Sequence, residues 1–264
     1  MLAIYHFART ADDIADEGDA PASQRLADLA AYRLDLAGAV SAISTSPRWP
    51  QVFEPLQPVM LRNHLPLALL HQLLDAFEQD VRNPPYADRA LLLDYCSRSA
   101  NPIGRLLLHL HGIADALSLQ RSDAICSALQ LINFWQDLSV DGPRHRHYVP
   151  LVDMQRHGLE MQDLVDRQDS LAARQLVSEL CDWAEALMQS GAPLALTLPG
   201  RAGWELRLVV QGGLRILEKI RLLDHAVLAQ RPTLKHRDAP LLLWRALRMG
   251  TRKGTGTGMG TRMV

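Results

Sequence analysis

Five oxygen-bearing side chains stand at spacings that would gather them on two helix faces. Asp12 and Asp16 lie in the run from Tyr5 to Glu17, which contains no glycine or proline. On a helix they occupy one face a turn apart, as do Arg9 and Asp13. Asn133, Asp137 and Asp141 repeat the same spacing in a second run. Carboxylates are almost never buried unpaired, so two such faces in a largely apolar chain read as ligands collected around hard cations. Mg2+ takes oxygen ligands in octahedral geometry and keeps several waters. It is typically held by one or two carboxylates together with substrate phosphates. A diphosphate bridged by metals between two facing walls is the chemistry this pattern suits. Arg9, Arg144 and Arg146 would supply charge-assisted hydrogen bonds to phosphate oxygens, and Tyr5 and Tyr148 further donors. Leu, Ile, Phe and Trp would form the remaining lining, suited to a long hydrocarbon.

Plainer readings exist for each part. An acidic helix face is often merely solvated, and Arg9 is placed to pair with Asp13. Arg144 and Arg146 would also make their loop soluble. Phe134 and Trp135 read as core, and His109 and His111 as packed rather than catalytic. The coincidence of both acidic runs with the basic loop 141–150 favours the diphosphate reading.

Helices must position these groups. Residues 23–43 carry a Leu- and Ala-rich helical pattern, broken by the Pro-rich segment 46–50. Leu65, Leu69, Leu70, Leu73, Leu74 and Phe77 recur at intervals of three and four, predicting an amphipathic helix closed by Asn83 and two prolines. A helical pattern over 87–113 is interrupted at 99–104, where Pro102 removes a backbone donor. That interruption reads either as a loop or as a kink that turns Asn101 and freed carbonyls toward a cavity. The second acidic run falls on a helix over 122–141, and further helices are predicted over 171–190, over 202–229 and through Trp244. No strand series or internal repeat is visible. The expectation is an all-α bundle over residues 1–249 with a central hydrophobic cavity. Residues 250–264 are a low-complexity Gly/Thr tail, expected to be disordered.

Composition agrees with that plan. The chain has 264 residues, 48% of them hydrophobic, enough for a sizeable core. Its 28 basic residues nearly balance 29 acids, leaving a net charge of −1. That balance makes no electrostatic case for nucleic acid. Cys96, Cys126 and Cys181 lack metal-ligand spacing and read as buried thiols of a reducing compartment. No apolar run is long enough for a membrane span, so the expected location is the cytoplasm, with room for a peripheral contact on the inner face of the membrane. The oligomeric state is not legible.

These residues resemble the squalene and phytoene synthase family of head-to-head prenyl synthases. The resemblance rests on Tyr5, Phe7, Arg9, Asp12, Asp13 and Asp16, on Tyr95-Cys96, on Asn133, Asp137 and Asp141, and on Arg146, Tyr148 and Pro150. It extends from residue 1 to about 230. It implies the all-α fold of trans-isoprenyl diphosphate synthases and Mg2+-assisted loss of diphosphate, with a carbocation forming in a greasy tunnel. Asp12, Asp16, Asn133, Asp137 and Asp141 would hold the metal, Tyr148 would join the catalytic set, and Tyr5, Arg9, Tyr95, Asn101, Asn133, Gln136, Arg144 and Arg146 would contact substrate. Phe7 or Tyr95 would face the cation. The wording around 7–18, 99–105 and 133–137 is similar to the bacterial hopanoid-pathway branch called hydroxysqualene synthase. That branch takes presqualene diphosphate and quenches the cation with water, without NADPH. Gln136 stands where condensing members generally carry Arg, which should weaken a second phosphate site. Other head-to-head reactions, giving presqualene diphosphate, squalene or phytoene, stand as alternatives. So does a non-catalytic lipid- or partner-binding protein, whose mark would be loss of acidic ligands; all five are present. Members normally begin some tens of residues earlier, with a helix carrying a phosphate-contacting segment, so the resemblance also implies an N-terminally short chain.

Overall fold

The structure is a computed structural model that describes residues 1–40 and 46–249. The Gly/Thr tail and the end of the second helical pattern, residues 41–45, lie outside the described residues. Among those described there is no strand. In chain order the helices are α1 (Leu2–Asp16), α2 (Ala22–Val40), α3 (Pro50–Asn63), α4 (Leu67–Arg82), α5 (Arg89–Ser99), α6 (Asn101–Leu110) and α7 (Ala116–Asp141). After a single 3-10 turn come α8 (Leu151–Arg156), α9 (Met161–Val165), α10 (Leu171–Gly191), α11 (Leu194–Thr197), α12 (Gly200–Leu222) and, beyond a second such turn, α13 (Ala239–Met249).

Two apolar clusters organise the bundle. The first joins α1 to α4: Ile4, Phe7, Ala11 and Ala15 of α1 form a buried stripe against Tyr32, Leu36, Phe53, Leu70 and Leu74. The second surrounds α7 and takes in α10 and α12, with Ile125, Leu131, Trp135, Leu180 and Leu217 at its centre. Helix α6 serves both, since Leu106 packs into the first cluster and Leu108 into the second. Burying such side chains gains roughly 1.5–3 kcal/mol each, and it fixes which helix faces remain for the site. Because α1 buries its small and apolar residues, Asp12 and Asp16 are left on its flank.

Helix α3 departs from the sequence pattern, which assigns no element to 50–63. Pro50 suits the first turn of a helix, but Pro55 and Pro58 sit inside it. Both prolines are exposed, so the carbonyls they leave unbonded lie on the solvent side, while Val52, Phe53, Leu56 and Met60 are buried against the first cluster. Burial of that face outweighs the lost backbone bonds. The interruption at 99–104 resolves as a kink rather than a loop. Helix α5 ends at Ser99, Ala100 alone intervenes, and α6 starts with Asn101 and Pro102, where the missing N–H is one a helix start leaves unbonded anyway. The kink lays α6 along α7 so closely that a Cβ on Gly104 would fall on Ser122 Oγ and stand 2.6 Å from Cys126 Sγ. Cys96 and Cys181 are buried, Cys126 is half-buried, and all three are free thiols.

Candidate active site

Helices α1, α4, α5 and α7 and the loop 142–150 enclose a polar cavity of about 390 Å3. Asp12 and Asp16 enter from α1, and Asn133, Asp137 and Asp141 from α7. Arg9, Arg144, Arg146, Tyr95 and Tyr148 share the lining. The two acidic faces therefore meet across one space.

The surrounding elements explain this convergence. The C-terminal end of α1 is gripped by Arg25, whose guanidinium donates to the carbonyls of Ala15, Gly18 and Ala20. A cation is favourable at that negative end of the helix dipole. Tyr32 on α2 donates its hydroxyl to the Phe7 carbonyl at 3.1 Å. Helix α7 is capped by Asp115, which accepts from the Ser118 N–H at 2.9 Å, and its last turn carries Asp141. The loop beyond it is drawn back over the cavity: Arg146 N–H donates to the Asp141 carbonyl at 3.0 Å, Asn83 holds the His145 carbonyl, and Leu151 N–H donates to the Tyr86 carbonyl at 2.9 Å. His145 adopts the left-handed region (φ 56°) to make this turn.

Guanidinium groups neutralise part of the acid. Arg146 binds Asp16 directly and reaches Asp141 at 3.9 Å. Arg9 pairs with Asp12 at 2.9 Å, and with Asp13 and Glu17 at 2.7 Å each, so the plainer pairing is present although Arg9 also faces the cavity. The carboxylates still crowd one another. Burial, then the neighbouring Asp137, pushes Asp141 up to about 6. Burial and the proximity of Asp16 likewise raise Asp12. Asp80 is pushed up to about 7, chiefly by burial and further by Asp16 and Asp12. Excess negative charge of this kind is what divalent cations relieve, and carboxylate and amide oxygens on two walls are the hard donors Mg2+ takes. Among the described residues no three Asp, Glu, His or Cys side chains make a ready-made metal cluster. Few protein ligands per ion, the rest coming from phosphate and water, is the usual Mg2+ arrangement.

An aromatic group lies against the acidic cavity. Tyr148 stacks on Phe134 with ring centroids 3.8 Å apart and planes within 8°. Tyr95 stands 6.1 Å from Tyr148 and 6.2 Å from Phe134, and Tyr86 5.6 Å from Tyr95. Desolvation holds the Tyr95 and Tyr148 phenols well above the usual range, so both stay protonated donors. Phe134 thus lines the cavity as well as the core, while Trp135 is core alone, fully buried.

Four residues named from the sequence lie outside the acidic cavity. Tyr5 is 61% exposed and lines the adjoining groove, which it shares with Arg9, Asp12 and Ile103, rather than the acidic cavity itself. Asn101 is buried between α6 and α7, its side-chain oxygen accepting from Ser127 Oγ at 3.0 Å, and it is not part of the acidic cavity's lining. Gln136 lines the neighbouring space rather than the acidic cavity and donates to the Pro232 carbonyl at 2.8 Å. Phe7 is wholly buried between Tyr32 and Phe53. Of the two histidines, His109 bonds the Asn63 carbonyl at 2.8 Å, a packing role. Two residues escaped the sequence reading. Asp80 accepts the Tyr95 hydroxyl at 2.9 Å inside the cavity; its signal was a charge one turn beyond Phe77 on the apolar face of α4. Arg231, in the loop after α12, lies on Asp137, with Nη2 3.0 Å from Oδ2, and nothing in its local sequence marks it.

Three apolar spaces share lining residues in series, two of them with this cavity. A groove of about 490 Å3 runs past Phe77, Ile103 and Leu107. A chamber of about 340 Å3 lies between α6, α7, α11 and α12. A third space, about 450 Å3, begins at Asn133 and Gln136 and follows α12 to Leu242.

The sequence model of squalene/phytoene synthases matches residues 1–238. The chain belongs to the squalene/phytoene synthase family. It is 30% identical over 226 residues to the hydroxysqualene synthase of Rhodopseudomonas palustris, covering 85% of this chain and 75% of that protein. It is 32% identical over 163 residues to the presqualene diphosphate synthase of the same organism, covering 62% of this chain and 57% of that one. The crystal structure of a squalene synthase from Alicyclobacillus acidocaldarius superimposes with a TM-score of 0.77 at 34% identity, over 84% of this chain and 82% of that one. As a member of the family the chain is an enzyme acting on isoprenoid diphosphates, a head-to-head prenyl synthase with the family's all-helical fold. The family typically uses Mg2+, and the acidic cavity has the donors to fit it. No helix among the described residues is long and apolar enough to cross a membrane.

Proposed function

We propose that this synthase converts presqualene diphosphate and water to hydroxysqualene and diphosphate. The observation that carries the reading is Gln136. Its amide is engaged with the Pro232 carbonyl and turned out of the acidic cavity, so α7 offers no positive charge at the position where condensing relatives carry one. A substrate with a single, preassembled diphosphate needs no more cationic contacts than Arg9, Arg144 and Arg146 provide.

Asp12, Asp16, Asn133, Asp137 and Asp141 would hold Mg2+, which supplies charge to stabilise the departing diphosphate. Arg9, Arg144 and Arg146 orient its oxygens. The C–O bond breaks with both electrons leaving on diphosphate. The resulting cation meets the faces of Tyr95, Phe134 and Tyr148, whose ring quadrupoles attract positive charge. The cyclopropylcarbinyl cation rearranges, and a ring C–C bond breaks to form a C=C as a water oxygen forms the new C–O bond and gives up its proton to solvent, so the ring opens and the step needs no reductant. The protonated phenols of Tyr95 and Tyr148 are donors able to orient that water.

A second reading is favoured by Arg231. Its guanidinium at Asp137 brings back, from another element, a charge that Gln136 does not provide, and a second phosphate site would suit condensation of two farnesyl diphosphates. Product analysis separates the two. The enzyme is incubated with presqualene diphosphate or with farnesyl diphosphate, each with and without NADPH. The proposal expects alcohol from the first substrate alone, with NADPH making no difference; presqualene diphosphate formed from farnesyl diphosphate would establish the second.

A further inference from the structure

The C-terminal end of the chain carries a feature that catalysis does not use. Helix α13 is apolar on two faces. Ala246 is buried and Leu242 and Met249 are partly buried. Pro240, Leu243, Trp244 and Leu247 recur at intervals of three and four on the other side and are exposed, Leu243 to 46%, Trp244 to 49% and Leu247 to 61%. Leu234, before the helix, is a further exposed apolar side chain, at 44%.

The charges on and just before this helix are mainly basic. Helix α13 carries Arg245 and Arg248 and no acid, in a chain whose overall charge is −1. Lys235, His236 and Arg237 precede the helix and are exposed. The nearby carboxylates are already engaged: Asp238 with Arg215 and Lys219, and Glu218 with Arg215 and Arg245. Arg248 stacks over the Trp244 ring, 4.3 Å from its centroid. An exposed Leu/Trp stripe bordered by cations is the pattern of a helix lying in a lipid headgroup region: apolar side chains enter the acyl boundary, and Lys and Arg meet anionic headgroups. An apolar groove opens beside it, running from Leu242 and Leu234 along α12 to Asn133 at the acidic cavity.

We propose that the outward face of α13 is a docking surface for an anionic phospholipid bilayer. The full chain is floated with vesicles of phosphatidylcholine alone and of phosphatidylcholine with phosphatidylglycerol, alongside the Leu243→Ser/Trp244→Ser/Leu247→Ser variant, with helicity of both checked by circular dichroism. Wild type should float with the anionic vesicles, less so at high salt, and the variant should partition at least about tenfold more weakly. A single Trp244→Phe variant provides a second reading: the blue shift of tryptophan emission on adding anionic vesicles should disappear in it. Equal flotation of variant and wild type, equal binding of wild type to neutral vesicles, or no binding at all overturns the proposal. So does a wild-type dimer in solution that the triple variant dissolves, because the face would then be covered by a second copy.

Discussion

Arg231 lays its guanidinium on the carboxylate of Asp137 across a sequence separation of 94 residues, with Nη2 3.0 Å from Oδ2. The loop that carries it is tied to the same helix by the Gln136–Pro232 bond. A cation of the protein thus occupies one side of a carboxylate proposed to bind metal. The pair is partly exposed, 45% for Arg231 and 16% for Asp137, and such pairs contribute at most about 1 kcal/mol. Arg231→Gln should therefore tighten Mg2+ binding to the substrate-free protein by no more than about fivefold. Calorimetric titration with MgCl2 reads this directly, and weaker binding in the variant would show that Arg231 supports the metal rather than competing with it.

Asp12→Asn and Asp137→Asn should each lower kcat by about two to three orders of magnitude, the usual loss when a group that stabilises developing charge is removed. Both carboxylates line an open cavity rather than the core, so circular dichroism and melting temperature should change little. Steady-state assays with Mg2+ present check the pair; near-wild-type turnover in both would refute their role.

Much of this was legible in the sequence, for a physical reason. Asp12, Asp16, Asn133, Asp137 and Asp141 each sit on a helix whose interior contains no proline, so spacing alone determines which of them share a face. Helix α4 was equally readable because its Leu stripe is strictly periodic. What was not legible depends on partners distant in sequence. Asn101 looked free to face a cavity, but the kink at Ala100 turns it onto Ser127 of α7. Tyr5 is near the acids in sequence, yet the helix rotation that buries Phe7 sends it outward. Helix α3 was hidden by Pro55 and Pro58, which penalise a helix locally and are tolerated because they face solvent. Arg231 belongs to a loop, where side-chain direction has no period to read.

Asn101→Ala tests its reassignment. Removing the amide leaves the buried Ser127 hydroxyl without its acceptor, a cost of about 1–3 kcal/mol. The melting temperature should fall by roughly 2–10 °C while KM for the diphosphate stays the same. A raised KM at unchanged stability would return Asn101 to the substrate.

Asp80 should give the metal-free protein an inverted pH dependence. Its carboxyl is raised to about 7, mainly by burial and then by Asp16 and Asp12, against an ordinary 3.8. Between those two values the folded state binds the proton that the unfolded state has lost, so this group's stabilisation is present at low pH and declines as pH rises through about 7. Asp141, raised to about 6, acts in the same direction. Melting temperature measured in chelator should therefore decrease from mildly acidic to mildly alkaline buffer. Asp80→Asn should flatten that decrease, and MgCl2 should restore stability at the alkaline end more than at the acidic end. A wild-type profile as flat as that of Asp80→Asn would contradict the assignment.

The most direct test of the water quench follows oxygen from solvent into product. Presqualene diphosphate is turned over by the full chain with Mg2+ and no NADPH, in water enriched in heavy oxygen, and the product is examined by mass spectrometry. The proposed chemistry predicts hydroxysqualene carrying the solvent label in its hydroxyl group. An unlabelled alcohol, or squalene that appears only when NADPH is added, would contradict it.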